Sequence, residues 1–229
     1  MKLRWVTVFT IFLLAGPVHA DEKTVLKTKK DKVSYSIGLD IGNSFKKQAI
    51  DIDPEILIKG LKDGLSGEPA LLTDTEVREV LIAFQQEMKA KEEGRMKELS
   101  EKNKKEGEAF LAENKKKESV VTLPSGLQYK VITAGTGGMP KSTDTVTTHY
   151  RGTLIDGTEF DSSHKRGQPA TFPVSGVIAG WTEALQLMKV GSKWQLFIPS
   201  DLAYGARGAG GTIGPNAALI FEVELLSIK

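Results

Sequence analysis

Residues 148–163 read Thr-His-Tyr-Arg-Gly-Thr-Leu-Ile-Asp-Gly-Thr-Glu-Phe-Asp-Ser-Ser. From Val146 to Leu154 apolar and polar side chains alternate, as a strand with one buried face requires. Asp156-Gly157 then supplies the turn. Working outward, residues 126–132 are strand-like and stop at the glycine-rich run 134–138. Residues 193–198 form another strand ended by Pro199, and 218–226 form the last. Between them, 181–188 is a short amphipathic helix closed by Gly191. About five antiparallel strands and one helix predict an α+β domain in which the helix covers one face of the sheet.

The chain of 229 residues carries this domain in its second half, and its first half is made of different material. Residues 21–118 hold 20 Lys and Arg and 21 Asp and Glu, whereas 119–229 hold 9 and 8. Most of the aromatic residues and glycines lie in the second segment. The shift places a boundary near Ser119–Thr122, between a surface-rich helical segment and a turn-rich β domain.

The chain starts with Lys2 and Arg4, an apolar run over 6–15, and the small-residue ending Val18-His19-Ala20. This is the pattern of a cleaved secretory leader over 1–20. The run is too short to span a bilayer comfortably. With Lys2 and Arg4 removed, 29 of the 31 basic residues remain against 29 acidic ones, so the net charge of +2 belongs to the leader. A nucleic-acid partner loses its electrostatic support. The chain has no Cys, which excludes a disulfide scaffold, a thiol nucleophile and thiolate metal sites. No cysteine follows the leader to carry a lipid, so a soluble periplasmic protein without a membrane anchor is expected.

In the helical segment Val33, Ile37, Ile41 and Phe45 recur every fourth residue, while Ser34, Gly38 and Gly42 give a small-residue side. Asp53-Pro54 is an N-cap and first-turn pair opening a second helix that ends at Ser66-Gly67. Thr73 to Glu76 has the form of a capping box for a third helix bearing Val77, Val80, Leu81, Phe84 and Met88. After Met88 the apolar stripe nearly disappears, and Met96, Leu99, Phe110 and Leu111 stand among Lys, Glu and Asn. A helix continuous over 74–118 would extend roughly 67 Å, with Gly94 and Gly107 each costing about 1 kcal/mol relative to Ala. Helices this short make a thin core alone, so they either pair with a second copy of the chain or pack on the β domain. The long polar stretch between the two segments favours the pairing.

Among candidate motifs, Gly208–Ile213 (GAGGTI) resembles the start of a dinucleotide fingerprint, but no βαβ unit surrounds it, so it reads as a surface loop. No G-x-S-x-G is present. His149 and His164 are expected to be incidental, and no metal or organic cofactor is called for. What remains is a set of aromatics near turns, namely Tyr150, Phe160, Phe172, Trp181, Tyr204 and Phe221, with Asp161 among them. Composition alone reads them as the core of a small β domain.

Their order is more specific. Residues 148–163 resemble the signature of FKBP-type peptidyl-prolyl isomerases, as do Val177-Ile-Ala-Gly-Trp181, Pro199-Ser-Asp-Leu-Ala-Tyr-Gly205 and the stretch 216–226. The first segment looks like the helical dimerisation arm of the bacterial macrophage infectivity potentiator-like branch, on helix order and on residues 122–132. After the leader over 1–20, the resemblance divides the chain into an arm and linker helix over 21–118 and an isomerase domain over 119–229. It also implies an antiparallel sheet half-wrapped around one helix, with an apolar pocket between them. Trp181 would form the floor, with Tyr150, Phe160, Phe172, Val177, Ile178 and Phe221 around it and Ile213 along the loop. Asp161, held by Arg166, would face the reacting amide, and Tyr204 and the Ile178 amide would donate hydrogen bonds to the bound chain. Tyr150, Phe160, Asp161 and Tyr204 are thus the expected catalytic residues. Arg166, Phe172, Val177, Ile178, Trp181, Ile213 and Phe221 are the expected substrate-binding ones. Ala170 and Ala209 stand where bulkier residues are common in eukaryotic members, which bears on the preferred residue before proline. The implied partners are proline-containing unfolded or partly folded chains, a second copy of the chain, and macrolides of the FK506 type. A rival reading is a holdase chaperone whose arms grip unfolded chains with little or no catalysis.

Overall fold

Local capping signals delimit the first helices. The computed structural model describes residues 25–229, so the leader expected over 1–20 lies outside the described residues. Helix α1 (Lys29–Lys47) starts at Thr28, whose hydroxyl accepts from the Asp31 amide while the Asp31 carboxylate accepts from the Thr28 amide. Helix α2 (Pro54–Ser66) starts at Asp53, whose side chain accepts from the amides of Glu55 and Ile56, and ends at Gly67 in the left-handed conformation. Neither helix has a buried residue. Among the described residues, nothing lies within 4 Å of where a side chain at Gly38 or Gly42 would begin.

Helix α3 (Asp74–Asn114) runs 41 residues without interruption at Gly94 or Gly107. It stops four residues short of the expected end at Glu118. The Asn114 side chain turns inward there and donates to Gln128 Oε1 at 2.9 Å, while Gln128 Nε2 donates to the Leu111 carbonyl at 2.9 Å. The chain divides into two compact units between Thr73 and Asp74. The composition break near Ser119 therefore falls inside the second unit, because α3 docks its C-terminal turns on the β domain. Phe110 meets Phe197 with ring centroids 6.0 Å apart, and a Cβ added at Gly107 would lie 3.1 Å from Ala218 Cβ.

The β domain is a seven-stranded antiparallel sheet. Its strands are β1 (Val121–Thr122), β2 (Gln128–Thr133), β3 (Thr145–Leu154), β4 (Glu159–Ser162), β5 (Ala170–Pro173), β6 (Lys193–Ile198) and β7 (Leu219–Ile228), with the order β1-β2-β6-β7-β3-β4. Strand β3 pairs with β7 along one edge and shares its other edge between β5, against residues 145–148, and β4, against residues 151–153. Strands β1, β4 and β5 are not among the four stretches named from sequence, since two to four residues are too few to display alternation. Helix α4 (Ala179–Leu185) lies on one face of the sheet and buries Trp181, Ala184 and Leu185. Leu196 and Ile198 from β6, Val223 and Leu225 from β7, and Val146 from β3 complete that core with no exposed surface. The architecture is the half-wrapped sheet around one helix that the resemblance implied.

Candidate functional site

Alternation along β3 points Tyr150 inward, and at Gly152 the same face carries no side chain. A Cβ at Gly152 would lie 2.6 Å from the Phe160 ring and 2.7 Å from the Phe221 ring. The glycine is what lets those two rings meet edge to face at 5.4 Å. Trp181, in the first turn of α4, receives the edges or faces of three rings. Tyr150 stands at 5.3 Å and 89°, Phe221 at 5.3 Å and 82°, and Phe172 at 6.0 Å and 84°. The indole is 3% exposed, and its Nε1 has no hydrogen-bond partner among the described residues.

Above these rings is a cavity of about 600 Å³. Tyr150, Phe160, Phe172 and Phe221 line it with Trp181, and Val177 and Ile178 close it on the side where the chain enters α4. Ile178 is the N-cap of that helix and accepts from the amides of Trp181 and Thr182. Asp161 and Tyr204 are at the rim, and Tyr204 is 39% exposed with no hydrogen bond to its hydroxyl among the described residues. Arg166 does not line the cavity but reaches its rim from behind. Tyr150 Oη donates to Asp161 Oδ2 at 2.5 Å, Arg166 Nη2 donates to Tyr150 Oη at 2.6 Å, and Arg166 Nη1 is paired with Asp161 Oδ1. The guanidinium carbon also stands 5.4 Å from the Tyr150 ring centroid.

Desolvation alone would push the Asp161 carboxyl up, but the hydrogen bonds from Tyr150 and Arg166 and the Arg166 charge outweigh it and hold Asp161 below the usual carboxylate value. Desolvation and the Asp161 carboxylate push the Tyr150 hydroxyl up, against the opposing pull of Arg166. At neutral pH the rim therefore holds a carboxylate, a neutral phenol and a guanidinium, and none of the three is poised to exchange a proton.

The last wall is the segment 204–216, of which residues 208–213 read from sequence as a surface loop. It is a closed hairpin: Ala209 and Ile213 exchange both backbone hydrogen bonds, at 2.8 and 3.0 Å. Gly208, Gly210 and Gly211 all have positive φ, and a Cβ at Gly208 would strike the Ile213 carbonyl. Ile213, Ala209, Gly210 and Thr212 line the cavity, as does Gly176 from the opposite side. Of these, Gly176, Gly210 and Thr212 were not named as site residues from sequence. The glycine string was the available signal, since three glycines in the four positions 208–211 permit so tight a reversal. Ala170 pairs with Thr148 on β5 and is not among the lining residues. His149 faces away from the cavity and stacks on His164 at 4.6 Å, with its Nδ1 3.0 Å from Ser163 Oγ.

Residues 30–131 match the family described as "Domain amino terminal to FKBP-type peptidyl-prolyl isomerase", and 137–226 match "FKBP-type peptidyl-prolyl cis-trans isomerase". The chain is 54% identical over 230 residues to "Outer membrane protein MIP" of Legionella longbeachae, covering 100% of this chain and 99% of that one. It is 48% identical over 217 residues to "Peptidyl-prolyl cis-trans isomerase Mip" of Coxiella burnetii, covering 95% and 94%. The crystal structure of FkpA from Escherichia coli matches with a TM-score of 0.71 at 40% identity, covering 90% of this chain and 99% of that one. A family match over each half, and relatives of this identity along the whole length, lead to one assignment: the chain belongs to the FKBP-type peptidyl-prolyl cis-trans isomerases.

Proposed function

We propose that the cavity isomerises the bond before proline in unfolded or partly folded chains of the bacterial envelope, with Tyr150, Phe160, Asp161 and Tyr204 acting on the bound amide. The observation that carries this reading is an aromatic cavity whose rim holds one carboxylate already engaged by Tyr150 and Arg166. Rotation about an X–Pro bond faces a barrier near 20 kcal/mol because amide resonance must be lost. The twisted transition state is less charge-separated than the planar amide. A cavity that strips water from the prolyl bond therefore favours the twisted form. The chain flanking the proline must be held while the ring turns, and in this reading the Tyr204 hydroxyl at the rim and the Ile178 amide hold it. Asp161 acts by charge and position. Its lowered pKa gives a stability contribution complete above the unfolded-state value and lost as pH falls through the folded-state one.

Two further features complete the reading. Residues 1–20 have the form of a leader cleaved before Asp21, and a 54% identical relative is named an outer membrane protein, which together support secretion to the periplasm. The apolar residues of α1 and α2, none of them buried, support self-association through the N-terminal helices. A macrolide of the FK506 type, with a prolyl-like ring, would compete for the same cavity.

A protease-coupled proline-isomerisation assay on the full chain tests the reading. The wild type accelerates cis-to-trans conversion and an FK506-type macrolide abolishes the acceleration. Asp161→Ala lowers kcat/KM. Tyr204→Phe, which deletes one hydroxyl, lowers it roughly 2- to 13-fold, the worth of one hydrogen bond in the transition state. The rate stays flat between about pH 6 and 8, because no group titrating there takes part. No acceleration by the wild type overturns the reading, and a bell-shaped profile with the fold intact overturns the desolvation mechanism.

A further inference from the structure

The hairpin wall of the cavity does not stand on its own bonds alone. Its outer side rests on the long helix α3, more than a hundred residues earlier in the chain. Asn103 Nδ2 donates to the Pro215 carbonyl at 2.8 Å, and Asn216 Nδ2 donates to Ser100 Oγ at 2.7 Å. Between those two bonds Gly214 lies so close to α3 that an added Cβ would stand 2.8 Å from Asn103 Nδ2 and 3.2 Å from Leu99 Cδ2. Asn216 has φ 55°, a left-handed conformation that Asn tolerates better than other non-glycine residues. Its amide donates to the Gly205 carbonyl at 2.8 Å, so this one residue ties the start of the hairpin, its end and α3 together. Ser100, Asn103 and Gly107 recur at helical spacing on the one face of α3 that meets the β domain. None of Ser100, Asn103 or Asn216 lines the cavity, whereas Tyr204, Ala209, Thr212 and Ile213 of the segment they hold all do.

We propose that Ser100, Asn103 and Asn216 are positioning residues for the isomerisation: α3 holds the 204–216 wall at the distance from Trp181 that a bound prolyl segment needs. The proposal rests on the reading of the cavity as the isomerase site. It makes the polar half of α3 a support of that site as well as a spacer. Both hydrogen bonds end on the back of the wall, so their loss leaves every lining side chain in place and loosens only its setting. The effect falls on capture of the substrate chain, and a looser wall also discriminates less among residues before proline.

The test compares the full-length wild type, the Ser100→Ala/Asn103→Ala double variant, Ser100→Ala and Ser100→Thr. Each is assayed on tetrapeptides that differ in the residue before proline, and amide hydrogen exchange is followed in parallel. The double variant is expected to lose roughly 3- to 10-fold in kcat/KM, mostly as a higher KM, with a narrower spread across the peptides. Exchange should quicken over 205–216 and stay unchanged in β6 and β7. Ser100→Thr, which keeps the hydroxyl, should recover most of what Ser100→Ala loses. A double variant within twofold of the wild type and with the same peptide preference overturns the proposal. So does a loss accompanied by faster exchange throughout β6 and β7, which marks a merely structural role. A wild type that accelerates no peptide overturns the reading of the cavity itself, and that result is seen before any variant is compared.

Discussion

The two ends of α3 reverse what their composition leads one to expect. Its first turns carry Val77, Val80, Leu81 and Phe84, yet these side chains are between 37% and 58% exposed in the single chain. Its last turns are mostly Lys, Glu and Asn, yet they contain both of its buried residues, Gly107 and Asn114. An apolar stripe marks a face that gains by burial and says nothing of where that burial occurs. Docking of the polar end is decided by matched hydrogen bonds and by one missing side chain. Asn114 meets Gln128, Asn103 meets the Pro215 carbonyl, and Gly107 admits Ala218.

The contrast breaks most visibly in self-association. If the apolar end is buried by a second copy, the full chain sediments as a dimer. Val77→Glu with Leu81→Glu, one turn apart, then raises the dissociation constant at least about 100-fold, since two apolar side chains at about 1.5–3 kcal/mol each are lost from the contact. A monomeric wild type, or a double variant still dimeric at low concentration, refutes that assignment. A smaller effect lies at the polar end. Asn114→Ala leaves the buried Gln128 carbonyl without its donor and should cost about 1–3 kcal/mol in urea unfolding. Lys104→Ala, on the exposed part of the same helix, should stay within about 0.5 kcal/mol. Equal losses in the two variants would mean that the docked face is not specified by its polar bonds. The smallest difference separates the two glycines. Gly94→Ala has open space around it and should stabilise by up to about 1 kcal/mol. Gly107→Ala gains the same propensity but pushes a methyl to 3.1 Å from Ala218 Cβ, so its net gain should vanish. Parallel thermal melts would show the two variants apart, and identical gains would deny the close approach.

What could be read before folding was whatever rests on near neighbours. The Asp53-Pro54 start and Gly67 end of α2 are visible because capping is chemistry within one turn. Strand β6 spans Lys193–Ile198 as expected, since Gly191 and Pro199 bracket an alternating run. The end of α3 was misplaced by four residues, because what stops it is Gln128, fourteen residues beyond Asn114. Gly107 read as a weak point in a solvated helix and is a contact. The run 208–213 read as a flexible loop, yet its Ala209, Gly210, Thr212 and Ile213 line the cavity, since the lining is defined by what stands opposite them.

The aromatic set shows where the two kinds of information part. Tyr150, Phe160, Phe172, Trp181 and Phe221 were legible as the buried aromatics of a small β domain. Their roles around a pocket came from resemblance, because periodicity does not distinguish a packed core from a cavity wall. Sequence alone determined the apolar faces, the turns, the absence of any thiol chemistry and the family. Tertiary structure alone decided that the rings stop short of filling the space above Trp181. It also decided that the Tyr150 hydroxyl joins Arg166 on Asp161, where the resemblance had given Arg166 alone, and that a helix read as a linker braces the wall. The physical reason is range. Propensity, capping and alternation act over a few residues, whereas the cavity and its support depend on groups brought together from positions up to 116 residues apart.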